Sequence, residues 1–155
     1  MWDFTVDNNY TSKSTIYWSL QSSHNSNLYL LDTQTGDIVN MSSESSYSYT
    51  GLSSRSFKII KGDLAFISEE TGRAVGGFRL YPNPTSQYLY VESYTKVSTD
   101  KIKVYTVDGK EVIPSSKDIV KNDALSQITR LGVRRLKRGT YVVVMSGNSK
   151  IFIKN

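Results

Sequence analysis

The chain has 155 residues, 38% hydrophobic and 12% aromatic, no cysteine and a formal net charge of +5, a length that suits one ordinary domain or two very small ones. Without cysteine, disulfide frameworks, thiolate zinc sites and cysteine nucleophiles are excluded together. No apolar run approaches the roughly eighteen residues that a membrane-spanning helix needs, and Met1-Trp2-Asp3-Phe4 has neither the basic nor the apolar region of a secretory leader.

Short runs of β-branched and aromatic residues, alternating with period two and broken by turn residues, predict strands over 2–6, 15–20, 28–32, 37–41, 47–50, 56–60 and 63–67 in the first half. No helix is predicted there. Ile16, Trp18 and Leu20 fall on one face of their strand and form one wall of a core, with Tyr17 and Ser19 opposite. The stretch 28–39 reads as a hairpin, because Gly36 can take the positive φ of a tight turn and Asp32 can cap that turn through its side chain. Residues 68–77, polar and holding Gly72, Gly76 and Gly77, read as an exposed flexible connection. The domain boundary is placed there.

The second half predicts strands over 88–92, 101–107, 110–113, 118–120, 126–129, 140–146 and 150–154. Asp108-Gly109 is a strong hairpin signal, and a second turn is expected at Gly147-Asn148. The unbroken apolar run 141–145 suggests a central strand buried on both faces or nearly so. Two sets of about seven short strands, with no long crossover helix, predict an all-β protein of two tandem antiparallel β-sandwiches: 1–67, a linker, and 78–155. The charge divides at the same place. Residues 1–77 hold five basic and eight acidic side chains, a net −3, and the remainder hold fourteen and six, a net +8. Such a surplus suits either a solvated basic surface or attraction to a polyanion such as nucleic acid or lipopolysaccharide.

From the boundary the chain reads Phe78-Arg79-Leu80-Tyr81-Pro82-Asn83-Pro84-Thr85. This resembles the opening of the C-terminal sorting domain of the type IX secretion system, found in bacteria of the Bacteroidetes group. Further blocks follow in the family's order. Lys103-Val104-Tyr105-Thr106-Val107-Asp108-Gly109-Lys110 is similar to its central hairpin, Leu136-Lys137-Arg138-Gly139-Thr140-Tyr141 to its Leu…Gly-x-Tyr strand, and Lys150-Ile151-Phe152-Ile153-Lys154 to its terminal strand. The resemblance marks Tyr81, Pro82, Asn83, Pro84, Asp108, Gly109, Lys110, Leu136, Gly139, Tyr141, Lys150 and Lys154 as sorting-motif residues. On physical grounds alone Pro82 and Pro84 can equally keep the entry segment out of the sheet ladder, Asp108-Gly109 serves any hairpin, and Tyr141 suits a core.

The resemblance implies a non-catalytic signal that directs a larger cargo through the outer-membrane translocon. Its implied partners are the translocon, its shuttle proteins and a sortase-like cysteine protease. The protease removes the tail in the linker, with Gly76 and Gly77 as the candidate positions, and joins the cargo to anionic lipopolysaccharide on the cell surface. No cofactor or metal is implied. The edge of the terminal hairpin is the expected recognition surface, because an exposed strand edge offers backbone groups for strand addition. An export tail without an export leader leads to the expectation that the chain is the C-terminal part of a larger protein. The first half resembles the immunoglobulin-like modules that precede such tails as spacers.

Other chemistry finds little support. His24, the single histidine, sits in a polar loop with no nucleophile elbow in the chain, and Glu69 and Glu70, adjacent on an extended chain, point to different sides. A carbohydrate-binding or adhesive sandwich is the alternative function. Nucleic acid is the least favoured partner.

Overall fold

The computed structural model describes residues 1–8, 12–20, 27–51 and 53–155. His24 lies outside them. The chain divides into two compact units, Met1–Val75 and Gly76–Asn155, and the described residues are β-rich throughout, with antiparallel pairing in every sheet.

In the first unit, β1 (Trp2–Val6), β3 (Leu28–Asp32), β4 (Ile38–Asn40) and β6 (Arg55–Lys61) form a sheet in the order β1-β6-β3-β4. A second ladder joins β2 (Lys13–Tyr17) to β5 (Ser46–Thr50). Between them Leu30, Met41, Tyr49 and Phe57 are buried, and Ile16, Trp18 and Leu20 pack against that cluster as one wall, although the strand expected over 15–20 runs from Lys13 to Tyr17 and leaves Trp18 and Leu20 beyond its end. Trp18 donates its indole N–H to the carbonyls of Met41 (3.0 Å) and Glu44 (2.8 Å), which satisfies its polar edge. The hairpin turn is built as the sequence predicts: Gly36 has φ +76°, and Asp32 Oδ1 accepts from the backbone N–H groups of Gln34 and Thr35.

The end of this unit departs from the sequence reading. Residues expected as strand 63–67 and then as flexible connection form helix α1 (Leu64–Ala74). Asp63 starts it as N-cap, its side chain accepting from the Phe66 N–H at 2.9 Å. Ile67, Ser68, Glu70 and Thr71 face inward, and Arg73 reaches Glu69 and Glu70 at 2.6 Å each. The two glutamates are therefore neighbours held by one guanidinium, not diverging groups on an extended chain. The helix stops where Gly76 (φ +68°) and Gly77 (φ +88°) take left-handed backbone, the ending that glycine permits. The unit thus holds six described strands and a helix in place of about seven strands.

The second unit has eight strands in two sheets. One runs β10 (Glu111–Val112), β9 (Lys103–Thr106), β13 (Gly139–Met145), β14 (Asn148–Lys154); the other runs β11 (Lys117–Asn122), β12 (Gln127–Gly132), β8 (Tyr88–Ser93), β7 (Phe78–Tyr81). Both sheets supply the core, with Phe78, Leu89, Val91 and Leu131 from one and Val104, Tyr141, Val143 and Phe152 from the other. This is face-to-face sandwich packing. β7 is a strand where the sequence pattern predicts only an entry segment. Within β13, Tyr141, Val143 and Met145 are buried while Val142 and Val144 are half-buried, so one face is covered completely and the other in part. The β13–β14 turn centres on Ser146-Gly147, one residue earlier than expected, since Met145 already pairs with Asn148.

Candidate functional site

Proline cannot donate to a sheet ladder, so a Pro-x-Pro segment leaving β7 must be held by other means. Here the residue between the prolines does the holding. Asn83 donates its side-chain N–H to the Ile151 carbonyl at 3.1 Å and accepts from the Ile153 N–H at 2.9 Å. A carboxamide carries both a donor and an acceptor, so one side chain replaces one residue of a neighbouring strand. Thr85 continues the pairing with backbone groups: its N–H donates to the Ile153 carbonyl and its carbonyl accepts from the Asn155 N–H, both at 2.9 Å. Thr85 is itself buried, its hydroxyl on the Tyr88 carbonyl.

This clamp corrects one expectation. The outer edge of β14 from Ile151 to Asn155 is already occupied by Asn83 and Thr85, so it offers no vacant template for strand addition there.

The other residues that the resemblance marks, Lys150 excepted, gather at the same end of the sandwich. Tyr81 stacks on Tyr90 with ring centroids 5.7 Å apart, and burial together with the nearby Glu92 carboxylate pushes its hydroxyl pKa up. Gly139 opens β13 opposite Lys154 with φ +152°, a backbone that side chains rarely adopt. Two residues on, Tyr141 stacks on Phe152 at 5.4 Å and donates its hydroxyl to the Lys137 carbonyl at 2.9 Å. Leu136 packs against the core, and Lys154 is buried.

Asp108, Gly109 and Lys110 form the turn that returns β9 to β10, and Thr106 of that hairpin pairs with Tyr141. Gly109 has φ +84° there. The Thr106 hydroxyl beside Asp108, with the aspartate's own backbone N–H, holds that carboxyl below the usual range. Lys150 stands apart from the others: its ammonium lies 5.9 Å from the centroid of the Phe78 ring.

One polar cluster escaped the sequence reading. In the first unit, buried Arg55 holds buried Asp32 at 2.6 Å, and the Tyr47 hydroxyl donates to both Asp32 and Asp37 at 3.0 Å. Burial pushes the Tyr47 hydroxyl pKa up, reinforced by the charges of Asp37 and Asp32. Arg55 also lies over the Tyr49 ring at 4.8 Å. Asp32 is legible as a turn cap, but nothing in the spacing of 32, 47 and 55 announces that they meet.

Compared with known proteins, residues 79–155 match a family model described as a secretion system C-terminal sorting domain. No curated protein and no solved structure matches the chain.

Proposed function

We propose, on the premise that residues 79–155 belong to the family of type IX secretion C-terminal sorting domains, that the second unit is a folded export label removed from its cargo after use. The tail marks its protein for passage through the outer membrane to the cell surface or extracellular space. The label acts without catalysis of its own. Its work is to present a fixed surface to the translocon and its shuttle proteins.

The observation that supports this reading is the clamp. The Tyr81–Pro84 opening and the 150–154 ending, the two extremes of the matched segment, are joined by hydrogen bonds at 2.9–3.1 Å. A signal in this form exists only once the whole unit has folded, because its parts are about seventy residues apart and closing such a loop costs chain entropy that the rest of the sandwich must offset.

Removal is assigned to the short run between the end of α1 and the start of β7, residues 75–77. With the helix reaching Ala74, most of the segment first expected as linker would need unwinding before it entered a protease cleft, whereas Gly76 is exposed and follows directly. A sortase-like cysteine protease acting there would leave the first unit on the cargo as a spacer and anchor it to anionic lipopolysaccharide.

The test is a full-length cargo carrying this tail in a type IX-competent bacterium. Deleting Lys150–Asn155 should trap the cargo in the periplasm, and mass spectrometry of the wild-type surface protein should find its new C-terminus within 75–77. Normal surface delivery after the deletion would overturn the sorting role. A C-terminus elsewhere would overturn the assigned cleavage site alone.

A further inference from the structure

Four of the six carboxylates in the second unit are committed locally: Glu92 to Arg79, Glu111 to Lys103, Asp118 to Arg130 and Asp123 to Lys121, at 2.8–3.7 Å. The excess positive charge is therefore concentrated elsewhere. Arg134, Arg135, Lys137 and Arg138, four cations within five residues, are exposed on the connection between β12 and β13, and none has a carboxylate partner among the described residues.

The connection is held firmly. Val133 is fully buried and donates its N–H to the Gln87 carbonyl at 2.8 Å, and the Leu136 N–H closes a turn on Val133 at 3.0 Å. Leu136 packs against the core while the Tyr141 hydroxyl holds the Lys137 carbonyl. Two apolar anchors thus point inward and four basic side chains outward, on backbone ordered before any ligand arrives. Apolar side chains flank them. Thr140, two residues past Arg138, pairs with Ile153, which is 46% exposed, and the neighbouring β9 turn carries Val107, 71% exposed, beside Lys110 and the single carboxylate Asp108.

We infer that this end of the sandwich is a docking surface for a membrane bearing phosphorylated glycolipid, with the Arg134–Arg138 loop on the phosphates and Val107 and Ile153 entering the headgroup layer. Exposed aliphatic groups beside a basic cluster are the combination by which proteins lie on anionic lipid surfaces. A site for phosphate alone would gain nothing from them. The inference rests on the sorting reading for where the domain meets such lipid.

The test uses the 155-residue chain and vesicles of phosphatidylcholine with or without lipid A. Binding should require lipid A and weaken as salt rises. Changing Arg134, Arg135, Lys137 and Arg138 together to Gln should weaken it by about two to three orders of magnitude, at roughly fivefold for each charge near the surface.

Lys96, Lys101, Lys103 and Lys121 lie at the opposite end of the two sheets, and changing them to Gln removes the same charge. That variant should bind nearly as wild type, and circular dichroism checks that both variants fold. Val107→Ser with Ile153→Ser should weaken vesicle binding while leaving its salt dependence. Absence of lipid A preference at low salt, or equal losses in the two charge variants, overturns the assignment. So does release by inorganic phosphate at matched phosphate concentration, or equally tight binding to duplex DNA, since either would make the ligand something other than the membrane. The vesicle readout needs no export machinery, so it succeeds or fails independently of the sorting role.

Discussion

Replacing Asn83 by alanine removes both bonds that hold the Pro82–Pro84 segment against β14, at 3.1 and 2.9 Å. An intramolecular hydrogen bond contributes a net of about 0.5–1.5 kcal/mol, and the exposure of these two favours the lower part, so the loss should be about 1–2 kcal/mol. For a unit the size of Gly76–Asn155 each kcal/mol lowers the melting temperature by about 4–8 °C, which predicts a drop of roughly 5–15 °C in the transition of this unit. Hydrogen exchange gives the sharper reading. The Ile153 amide donates to Asn83 and to no other group on that edge, so its protection should fall, while the Phe152 amide, on the side facing β13, should retain protection set by unfolding of the whole unit. Asn83→Asp keeps the acceptor for Ile153 but loses the donor to Ile151, and should fall between wild type and Asn83→Ala. Unchanged protection at Ile153 together with an unchanged melting temperature would refute the clamp.

Gly77→Ala should destabilise the second unit by about 1–2 kcal/mol in chemical denaturation, because φ is +88° and the new Cβ would meet Asn148 Nδ2 at 2.6 Å. Gly132→Ala should cost about 1–3 kcal/mol through a crowded contact, because the new Cβ would run into Ser115 Oγ and lie 3.1 Å from the Ser116 backbone nitrogen. In the first unit, Arg55→Met leaves the Asp32 carboxylate buried without its cation and should cost about 3–5 kcal/mol in the same assay, more than Arg55→Met with Asp32→Asn, which removes both charges. The Asp123 carboxyl, bonded by Lys121 and by the backbone N–H groups of Ser126 and Leu125, is lowered to about 2. Its stabilisation is present above the unfolded value of about 4 and is lost as pH falls toward 2, so Asp123→Asn should flatten the pH dependence of stability between those values, by a small amount because the group is exposed.

Strand positions were legible where period-two alternation marks one buried face of a sheet, as at Leu89 and Val91 in β8, whereas Trp18 and Leu20 keep the face of Ile16 although β2 ends at Tyr17. Turn positions were legible where a single residue type carries the geometry, as at Gly36 and Gly109. Helix α1 was hidden because its inward face is mostly polar, Ile67 being followed by Ser68, Glu70 and Thr71, so no apolar stripe with helical period is visible; Asp63 as cap was the signal that remained. The blocks 78–85, 103–110, 136–141 and 150–154 were recognisable as a pattern, but the reason for Asn83 was not. A carboxamide between two prolines becomes meaningful only when Ile151 and Ile153 are brought beside it, and local sequence does not encode that meeting. The Asp32–Arg55–Tyr47 cluster was missed for the same reason.

The edges of the second unit bear on how it can be recognised. A sandwich open at both sheets presents four edge strands, each a possible template for unwanted pairing. β14 is covered from Ile151 to Asn155 by Asn83 and Thr85. β10 is two residues long and β7 four. β11 is longer, but it carries Lys117 and Lys121 and loses register between Ile119 and Lys121, which makes it a poor partner for a straight strand. Covering, shortness and broken register thus leave little straight edge in this unit for pairing with a further strand, one from another copy of the chain included. The strongly charged turn at Arg134–Arg138 presents exposed side chains instead, and it is held in place by Leu136 in the core and by the Tyr141 hydroxyl on the Lys137 carbonyl.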